Sequence, residues 1–221
     1  MPIVPSNAVN AGQAVYSPLV LGFYDLWVLG VSNHLLWRCP TRELRALYDR
    51  NVSECHIDVG VGTGYYLDNV PFPVAGPEIT LLDLNAHSLA AAARRIARYR
   101  PKGVQADARQ PWPVEGRFKS AGLMYLLHCL PGSMAEKAVL FDHAAAALQP
   151  GGRLFGATIV QGRAPRSLAA QKLMDVYNRQ GIFANAHDTI EDLDRELVRR
   201  FPGHNLRLEG CVALFEAVRP A

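Results

Sequence analysis

The residues that carry the most chemical information are three glycines at alternate positions behind an acid. Residues 56–64 read His-Ile-Asp-Val-Gly-Val-Gly-Thr-Gly, so a short apolar run ends at Asp58 and is followed by Gly60, Gly62 and Gly64. Glycine has no Cβ and tolerates positive φ, which lets the backbone of such a turn approach a ligand closely. The pattern predicts a strand, a tight turn and a helix around a nucleotide-type ligand.

The spacing of the glycines excludes two phosphate-binding motifs. A dinucleotide fingerprint needs its third glycine one position later than Gly64, and Tyr65 stands there. A P-loop needs a lysine directly after its last glycine, and no lysine follows any of these glycines. The turn is therefore not a phosphate cradle of either kind.

Two further acids end the next predicted strands. The run Ile-Thr-Leu-Leu-Asp ends at Asp83, about 20 residues past the turn, where a carboxylate is placed to accept hydrogen bonds from two ribose hydroxyls. The run Gly-Val-Gln-Ala-Asp-Ala places Asp107 after a third strand. A single aspartate at a strand end is commonly a turn or cap residue, but with Asp58 they form a set of three at successive strand ends.

This set resembles motif I and the following motifs of class I methyltransferases dependent on S-adenosylmethionine (SAM), of the small-molecule kind with type 11 or type 12 domains. Residues 127–131, Leu-His-Cys-Leu-Pro, are similar to the family's Leu-His-His-Leu-Pro sequence, with Cys129 where a second histidine often stands. Residues 148–154, Leu-Gln-Pro-Gly-Gly-Arg-Leu, resemble its turn before strand five. The resemblance is close over about residues 52–160 and extends to the C-terminal end by topology only.

The resemblance implies a doubly wound α/β fold with a seven-stranded, mostly parallel sheet and an antiparallel last strand. Residues 1–51 are interpreted as an N-terminal helical lid and the first core helix, and 52–221 as the SAM-binding catalytic core with a lid insertion at about 161–186. Thr41 and Thr189 are predicted N-caps. The later strands are predicted at residues 118–129, 154–160, 204–209 and 212–218.

The resemblance also implies which residues surround the cofactor. The glycines would make room for the methionine part of SAM, Asp83 would bind the ribose, and Asp107 would accept from the adenine amino group. No metal-ligating triad is visible in the sequence, so a metal-dependent mechanism is not expected. The predicted cofactor-binding residues are Asp58, Gly60, Gly62, Gly64, Asp83, Leu84, Asp107, Ala108 and Tyr125.

The acceptor side of the site is predicted from the same resemblance and from residue chemistry. His128 is the leading candidate for a general base, because strand four would end beside the methyl donor and histidine titrates near neutral pH. A structural role for His128 stays open, and His34 and His187 are alternative bases. Asn185 is a further candidate contact to the acceptor. The predicted substrate-binding residues are Tyr16, Tyr24, Tyr177 and Phe183.

Composition narrows the function classes. The chain has 221 residues, 49% hydrophobic and 19% charged, which fits one α/β domain and excludes a disordered chain. The net charge is +3, but the basic cluster at residues 94–102 holds a single aromatic, Tyr99, rather than the successive aromatics of a single-strand nucleic-acid track. Asp25 and His34 would be costly inside a bilayer, so stable membrane insertion is not expected. Four widely spaced cysteines and no basic leader predict a reducing, cytoplasmic location.

The function predicted from these observations is SAM-dependent methylation of a small, partly apolar metabolite, most simply on oxygen and in secondary metabolism. Methylation on nitrogen or carbon by the same residues stays open, and so does a SAM-binding partner protein without catalysis. The expected partner is a small-molecule substrate, and the expected assembly is a monomer or a homodimer.

Overall fold

The computed structural model describes residues 32–34, 36–115, 117–162 and 166–220. Tyr16, Tyr24 and most of the predicted N-terminal lid lie outside the described residues. The strands are β1 (Cys55–Val59), β2 (Glu78–Asp83), β3 (Lys102–Gln105), β4 (Phe118–Met124), β5 (Leu148–Ile159), β6 (Asn205–Glu209) and β7 (Val212–Val218). The helices are α1 (Thr41–Asn51), α2 (Tyr65–Asn69), α3 (Ala86–Arg95), α4 (Met134–Lys137), α5 (Val139–Ala147), α6 (Leu168–Arg179) and α7 (Ile190–Arg200).

These strands form one seven-stranded sheet in the order β3-β2-β1-β4-β5-β7-β6. β1 pairs in parallel with both β2 and β4, whereas β7 is antiparallel to β5 and to β6. The fold class predicted from the sequence is therefore confirmed. The strand order reverses between β1 and β4, and ligands of open α/β sheets bind at the carboxyl ends of the strands at such a point.

Apolar side chains cover both faces of this sheet. Leu81 and Leu82 are both fully buried, but they belong to different hydrophobic clusters because successive strand residues point to opposite faces. One cluster packs α5 and α7 on the sheet, with Phe141 and Leu197 at its centre. The other packs α1, where Tyr48 is completely buried. Both layers hold the switch point rigidly.

Three sequence-based boundaries are wrong for local reasons. β4 ends at Met124 rather than at residue 129, because Tyr125 takes a left-handed φ of 58° and a 3-10 turn follows at Leu127–Cys129. β5 begins at Leu148 instead of residue 154, with a register irregularity opposite β4. Pro40, not Thr41, occupies the N-cap position of α1, and no side chain caps this helix. Thr41 is the first helical residue, and its hydroxyl accepts a hydrogen bond from Asn33 (3.2 Å).

The second capping prediction is confirmed. The Thr189 hydroxyl accepts from the backbone N–H of Asp192 (3.1 Å) and donates to its carboxylate (2.6 Å) at the start of α7. This cap ends the insertion between β5 and α7 at a defined place. The insertion is therefore fixed at its C-terminal end, where Thr189 pairs in an isolated parallel bridge with Gln161, two residues after the end of β5.

Candidate active site

The glycine turn follows β1 at the switch point of the sheet. Gly60, Gly62 and Gly64 have φ values of 73°, 53° and 74°, all in the left-handed region. A Cβ on Gly60 would lie 2.8 Å from Leu126 Cδ1, and one on Gly64 would lie 3.0 Å from Ala92 Cα. No described atom lies within 4 Å of a Cβ built on Gly62. The outer glycines thus allow close packing, whereas Gly62 borders space that no described residue fills.

The end of β2 places a partly buried carboxylate beside this turn. Asp83 Oδ1 accepts from the backbone N–H of Asn85 at 2.8 Å. Burial raises the pKa of Asp83 from 3.8 to about 6, although backbone N–H groups of Asn85, Gly62 and Val61 counteract the rise. The carboxylate thus lies against the glycine turn itself. Because burial disfavours its charge, any further hydrogen-bond donor would stabilise the ionised form.

Asp58 lies underneath the turn and is bound from within the protein. The Tyr48 hydroxyl donates to Asp58 Oδ1 (3.2 Å) and also lies 2.9 Å from His56 Nε2. The other nitrogen of His56 is 2.8 Å from the Ser120 hydroxyl on β4. Asp58 therefore connects the glycine turn to α1 through a buried polar network, and its contact with a ligand stays a prediction.

Asp107 follows β3 at the same edge of the sheet. Arg109 donates to it from Nη2 (2.7 Å), from Nε (3.1 Å) and from its backbone N–H (3.0 Å). Burial raises the pKa of Asp107, but these bonds and the Arg109 charge outweigh it and hold the pKa below the usual value. Oδ1 already accepts two of these bonds, whereas Oδ2 accepts one and retains a lone pair for another donor. The neighbouring Ala108 is buried, and the Leu84 carbonyl accepts from Gln105 (3.1 Å).

His128 lies in the 3-10 turn after β4 and is buried. The backbone N–H of Ile159 donates to its Nδ1 at 3.3 Å, and the Thr158 hydroxyl lies 3.3 Å from the same nitrogen. Burial, and secondarily the charge of Lys137, lower the pKa of His128 to about 3. Because Nδ1 accepts, the neutral ring carries its proton on Nε2. These surroundings favour a hydrogen-bond donor over a general base.

Aromatic side chains gather around the His128 ring. Phe183 meets it edge-on, with ring centroids 4.6 Å apart, and Tyr125 does so at 5.5 Å. Tyr177 packs on Phe183 at 5.0 Å and Trp37 packs on it at 6.0 Å. The structure thus brings together four predicted site residues from two separate segments, Tyr125 and His128 after β4 and Tyr177 and Phe183 in the insertion. Trp37 was not predicted, since nothing in its local pattern separates it from the apolar residues around it.

Tyr125 connects this cluster to the segment before α1. Its hydroxyl donates to Asn33 Oδ1 at 2.8 Å, and its N–H donates to the Ala157 carbonyl at 2.8 Å. A left-handed φ at a non-glycine residue costs about 1–3 kcal/mol, so it persists only where surrounding contacts hold it. Asn33, completely buried, is therefore a second residue of the site that sequence patterns did not reveal.

Asn185 does not take the role expected from the sequence. It is completely buried, its Nδ2 donates to the Ile159 carbonyl (2.9 Å), and its Oδ1 accepts from Asn178 (2.9 Å). These bonds fix the insertion to β5 and leave the side chain inside the protein. His34 and His187, the alternative bases, are both exposed.

The insertion is also tied to the turn after β4. Lys137 Nζ donates to Asp188 Oδ2 (2.5 Å) and to the Ala184 carbonyl (2.7 Å), and both charged side chains are buried. The Ala184 N–H donates to the His128 carbonyl at 2.8 Å. Burial lowers the pKa of Lys137, and the Asp188 carboxylate opposes that shift. The pair is separated by 51 residues, and no sequence pattern indicated it.

Two features are absent from the part of the chain that the structure describes. Among the described residues, no three His, Cys, Asp or Glu side chains come together in an arrangement that could hold a metal ion. Within the same residues, no helix has both the length and the apolar character needed to cross a membrane.

Known proteins similar to this chain identify its family. Residues 57–154 match the Methyltransf_12 family model, described as a methyltransferase domain. The chain is 44% identical over 207 residues to demethylluteothin O-methyltransferase of Streptomyces thioluteus, covering 93% of this chain and 90% of that protein. It is 35% identical over 212 residues to the physcion biosynthesis cluster O-methyltransferase of Aspergillus chevalieri, covering 95% of each.

A solved structure shares the fold. The N-methyltransferase NodS from Bradyrhizobium japonicum WM9, in complex with S-adenosyl-L-homocysteine (SAH), superposes with a TM-score of 0.66 over 96% of this chain and 100% of NodS. Its sequence identity is 17%, so this likeness concerns the fold. Three observations indicate the same family: the sheet order, the glycine turn with its three acids, and the relatives at 35–44% identity. The chain belongs to the class I SAM-dependent methyltransferases.

Proposed function

We propose that this protein transfers the methyl group of SAM to an oxygen atom of a small, partly apolar metabolite in secondary metabolism. The observation that carries the proposal is the glycine turn at the switch point, where Gly62 faces space that no described residue fills and the partly buried Asp83 carboxylate lies beside it. Two relatives that span almost the whole chain, and whose names describe O-methyltransferases, support oxygen as the acceptor atom.

The residues at the switch point fit SAM. The open space beside Gly62 can take the methionine part, and Asp83 offers acceptor oxygens for two ribose hydroxyls. Asp107 retains acceptor capacity for an adenine amino group at the end of β3. When bound, SAM supplies an electrophilic methyl carbon on its sulfonium. The proposed binding set is Asp58, Gly60, Gly62, Gly64, Asp83, Leu84, Asp107, Ala108 and Tyr125.

The protein's own contribution to the transfer is position and exclusion of water. In-line methyl transfer needs the acceptor atom at about 3 Å from the methyl carbon. His128 offers a proton on Nε2 that can orient an acceptor oxygen, and Tyr125, Tyr177 and Phe183 provide apolar surface around it. A histidine with a pKa of about 3 removes no proton near neutral pH. We therefore infer an acceptor that ionises readily, such as a phenol or an enol.

The experiment that tests the proposal uses SAM labelled with carbon-13 in its methyl group. The protein is incubated with a panel of phenolic and enolic metabolites, and with amines of similar size as the matched control. We expect labelled methyl ethers, identified by mass and by the chemical shift of the methyl carbon. Labelled methylamines or C-methyl products would replace the O-transfer proposal. SAH binding without any labelled product would favour the partner protein without catalysis.

Two broader proposals accompany this function. We infer that residues 1–51 and the insertion at about 161–186 cover the acceptor, with Tyr16 and Tyr24 among its contacts, while 52–221 form the catalytic core.

We also propose a cytoplasmic enzyme that is a monomer or a homodimer and binds no nucleic acid. All four cysteines are free in the structure, as a reducing compartment allows. Light scattering of the purified protein measures the oligomeric state.

Substitution of His128 separates its two possible roles. If the ring only donates a hydrogen bond, His128→Ala should lower kcat by about 3- to 10-fold, the value of one neutral hydrogen bond. Loss of a general base would instead cost about 100-fold or more. His128→Gln retains an N–H donor and should keep more activity than the alanine variant. Steady-state rates on one acceptor, with circular dichroism as the folding control, provide the measurement.

The pH dependence gives an independent check of this role. With a pKa of about 3, His128 stays neutral from pH 5 to 8, so kcat should show no ionisation from it in that interval. Nuclear magnetic resonance of the ring, assigned with the His128→Gln variant, should show a constant chemical shift over the same range. A titration near pH 6.5 that coincides with a rise in kcat would establish the general base instead.

A further inference from the structure

The buried pair of Lys137 and Asp188 has no part in the chemistry described above. The Lys137 side chain is completely buried and that of Asp188 is 2% exposed. Removing two charges from water is costly, and replacing a buried ion pair with apolar residues is often neutral or stabilising. Fold stability alone therefore does not explain why this pair is buried. The contacts that the pair makes indicate another role.

One side of the pair connects α4 to the aromatic cluster. Lys137, the last residue of α4, binds the carbonyl of Ala184, and the N–H of Ala184 binds the carbonyl of His128. Phe183, the preceding residue, places its ring 4.6 Å from the ring of His128. The lysine thus holds the backbone at Ala184, next to Phe183, whose ring packs on the proposed acceptor-orienting histidine.

The other side of the pair connects the same loop to β5. The backbone carbonyl of Asp188 accepts from Gln161 (2.6 Å), and its N–H donates to the Asn185 carbonyl (3.1 Å). Asn185 in turn donates to the carbonyl of Ile159, whose N–H donates to Nδ1 of His128. These hydrogen bonds therefore form a continuous network around His128. Among the contacts named here, the Lys137–Asp188 pair is the one ion pair in that network.

We propose that Lys137 and Asp188 are positioning residues for the methyl acceptor. By holding residues 182–188, they set the place of Phe183 against His128, and through these two rings they set the orientation of the acceptor relative to the methyl donor. The inference rests on the proposed function for its kinetic consequence, but the fixed loop itself does not. The glycine turn and Asp83 lie on other elements, so cofactor binding should be independent of the pair.

The test replaces both charges at once, in Lys137→Met with Asp188→Leu, because a single substitution would leave one charge buried without its partner. Asp188→Glu retains the pair and serves as the conservative rescue. The matched control is Lys119→Met with Glu54→Leu, which removes an ion pair whose side chains are 47% and 39% exposed. Every variant is first checked for folding by its thermal transition and for cofactor binding by calorimetry with SAH.

The kinetic readout distinguishes positioning from plain structural support. For the double variant, we expect the KM for the acceptor to rise about 10-fold or more, while SAH affinity stays within about twofold of the original. Asp188→Glu and the surface control should both stay near the original KM. An unchanged acceptor KM in a folded double variant that binds SAH would overturn the inference, and so would an equal loss of acceptor and SAH binding.

Amide hydrogen exchange measures how firmly residues 182–188 are held, and it needs no acceptor. In the double variant, amides of residues 182–188 should exchange about 10-fold faster, while those of 56–64 keep their rate. An unchanged rate in the loop would overturn the inference even if activity falls. If the original protein methylates no acceptor at all, the proposed function fails, whereas faster exchange confined to this loop would still support its fixation by the pair.

Discussion

Asp83→Ala should weaken the binding of SAH by more than about 100-fold, the largest effect we expect from any single side chain. Two hydrogen bonds from ribose hydroxyls to an ionised carboxylate contribute about 1.5–3 kcal/mol each, and the variant loses both. The carboxylate is already held against the glycine turn by backbone N–H groups, so it needs no rearrangement to accept them. Isothermal titration calorimetry at pH 7.5 measures the loss.

Asp83→Asn distinguishes the ligand role from damage to the fold. The folded-state pKa of Asp83 is raised to about 6 from 3.8, so its burial destabilises the ligand-free protein at pH values above about 6. That penalty fades as the pH falls through 6 toward 3.8. We therefore expect Asp83→Asn to unfold at a higher temperature than the original protein at pH 7.5, and at a similar temperature near pH 4.

The same pKa predicts how cofactor affinity depends on pH. Below about pH 6 the carboxyl of the free enzyme is protonated and offers a weaker acceptor, so SAH affinity should fall as the pH is lowered through this value. Asp83→Asn should bind weakly with no such inflection. Tight SAH binding by either variant at pH 7.5, or a pH profile that the asparagine leaves unaltered, would remove Asp83 from the ribose site.

The parts of the site that could be predicted from sequence are encoded by neighbours in the chain. Glycines at alternate positions report a turn with positive φ, and an acid after an apolar run reports the carboxyl end of a buried strand. Asp58 and Asp83 each follow such a run, whereas Asp107 follows the short and mostly exposed β3. A parallel sheet brings the three strand ends to one edge. The fold class followed from the family resemblance that these local motifs carry.

The remaining features depend on contacts between distant segments. The left-handed Tyr125 is held by Asn33, from which it is 92 residues away, and it ends β4 earlier than the apolar pattern predicts. The properties of His128 follow from burial, which no spacing in the sequence reports. The Lys137 and Asp188 pair likewise lies on separate elements. Residue type thus indicated a base, and tertiary surroundings favour a donor.

Gly62→Ala provides the sharpest test that the glycine turn borders the ligand. At Gly62 the φ is 53°, and no described residue beyond its chain neighbours lies within 4 Å of the missing Cβ. An alanine there would therefore strain the left-handed backbone and project its methyl group toward the proposed ligand, without a clash against the described protein. We expect about 1–2 kcal/mol of lost stability from the strain. A methyl group in a close-fitting ligand site should weaken SAH binding by about 10-fold or more.

Gly151→Ala is the matched control for this variant. Gly151 has a φ of 77° and likewise has no described atom within 4 Å of its missing Cβ, but it lies in the turn region at the start of β5, away from the carboxyl edge. Chemical denaturation should therefore show similar destabilisation in both variants, since the strain is the same in kind. Calorimetry should show weakened SAH binding only for Gly62→Ala. Equal SAH affinity in the two variants would mean that the open space at Gly62 is ordinary solvent, and the turn would then serve the packing of α3 rather than the cofactor.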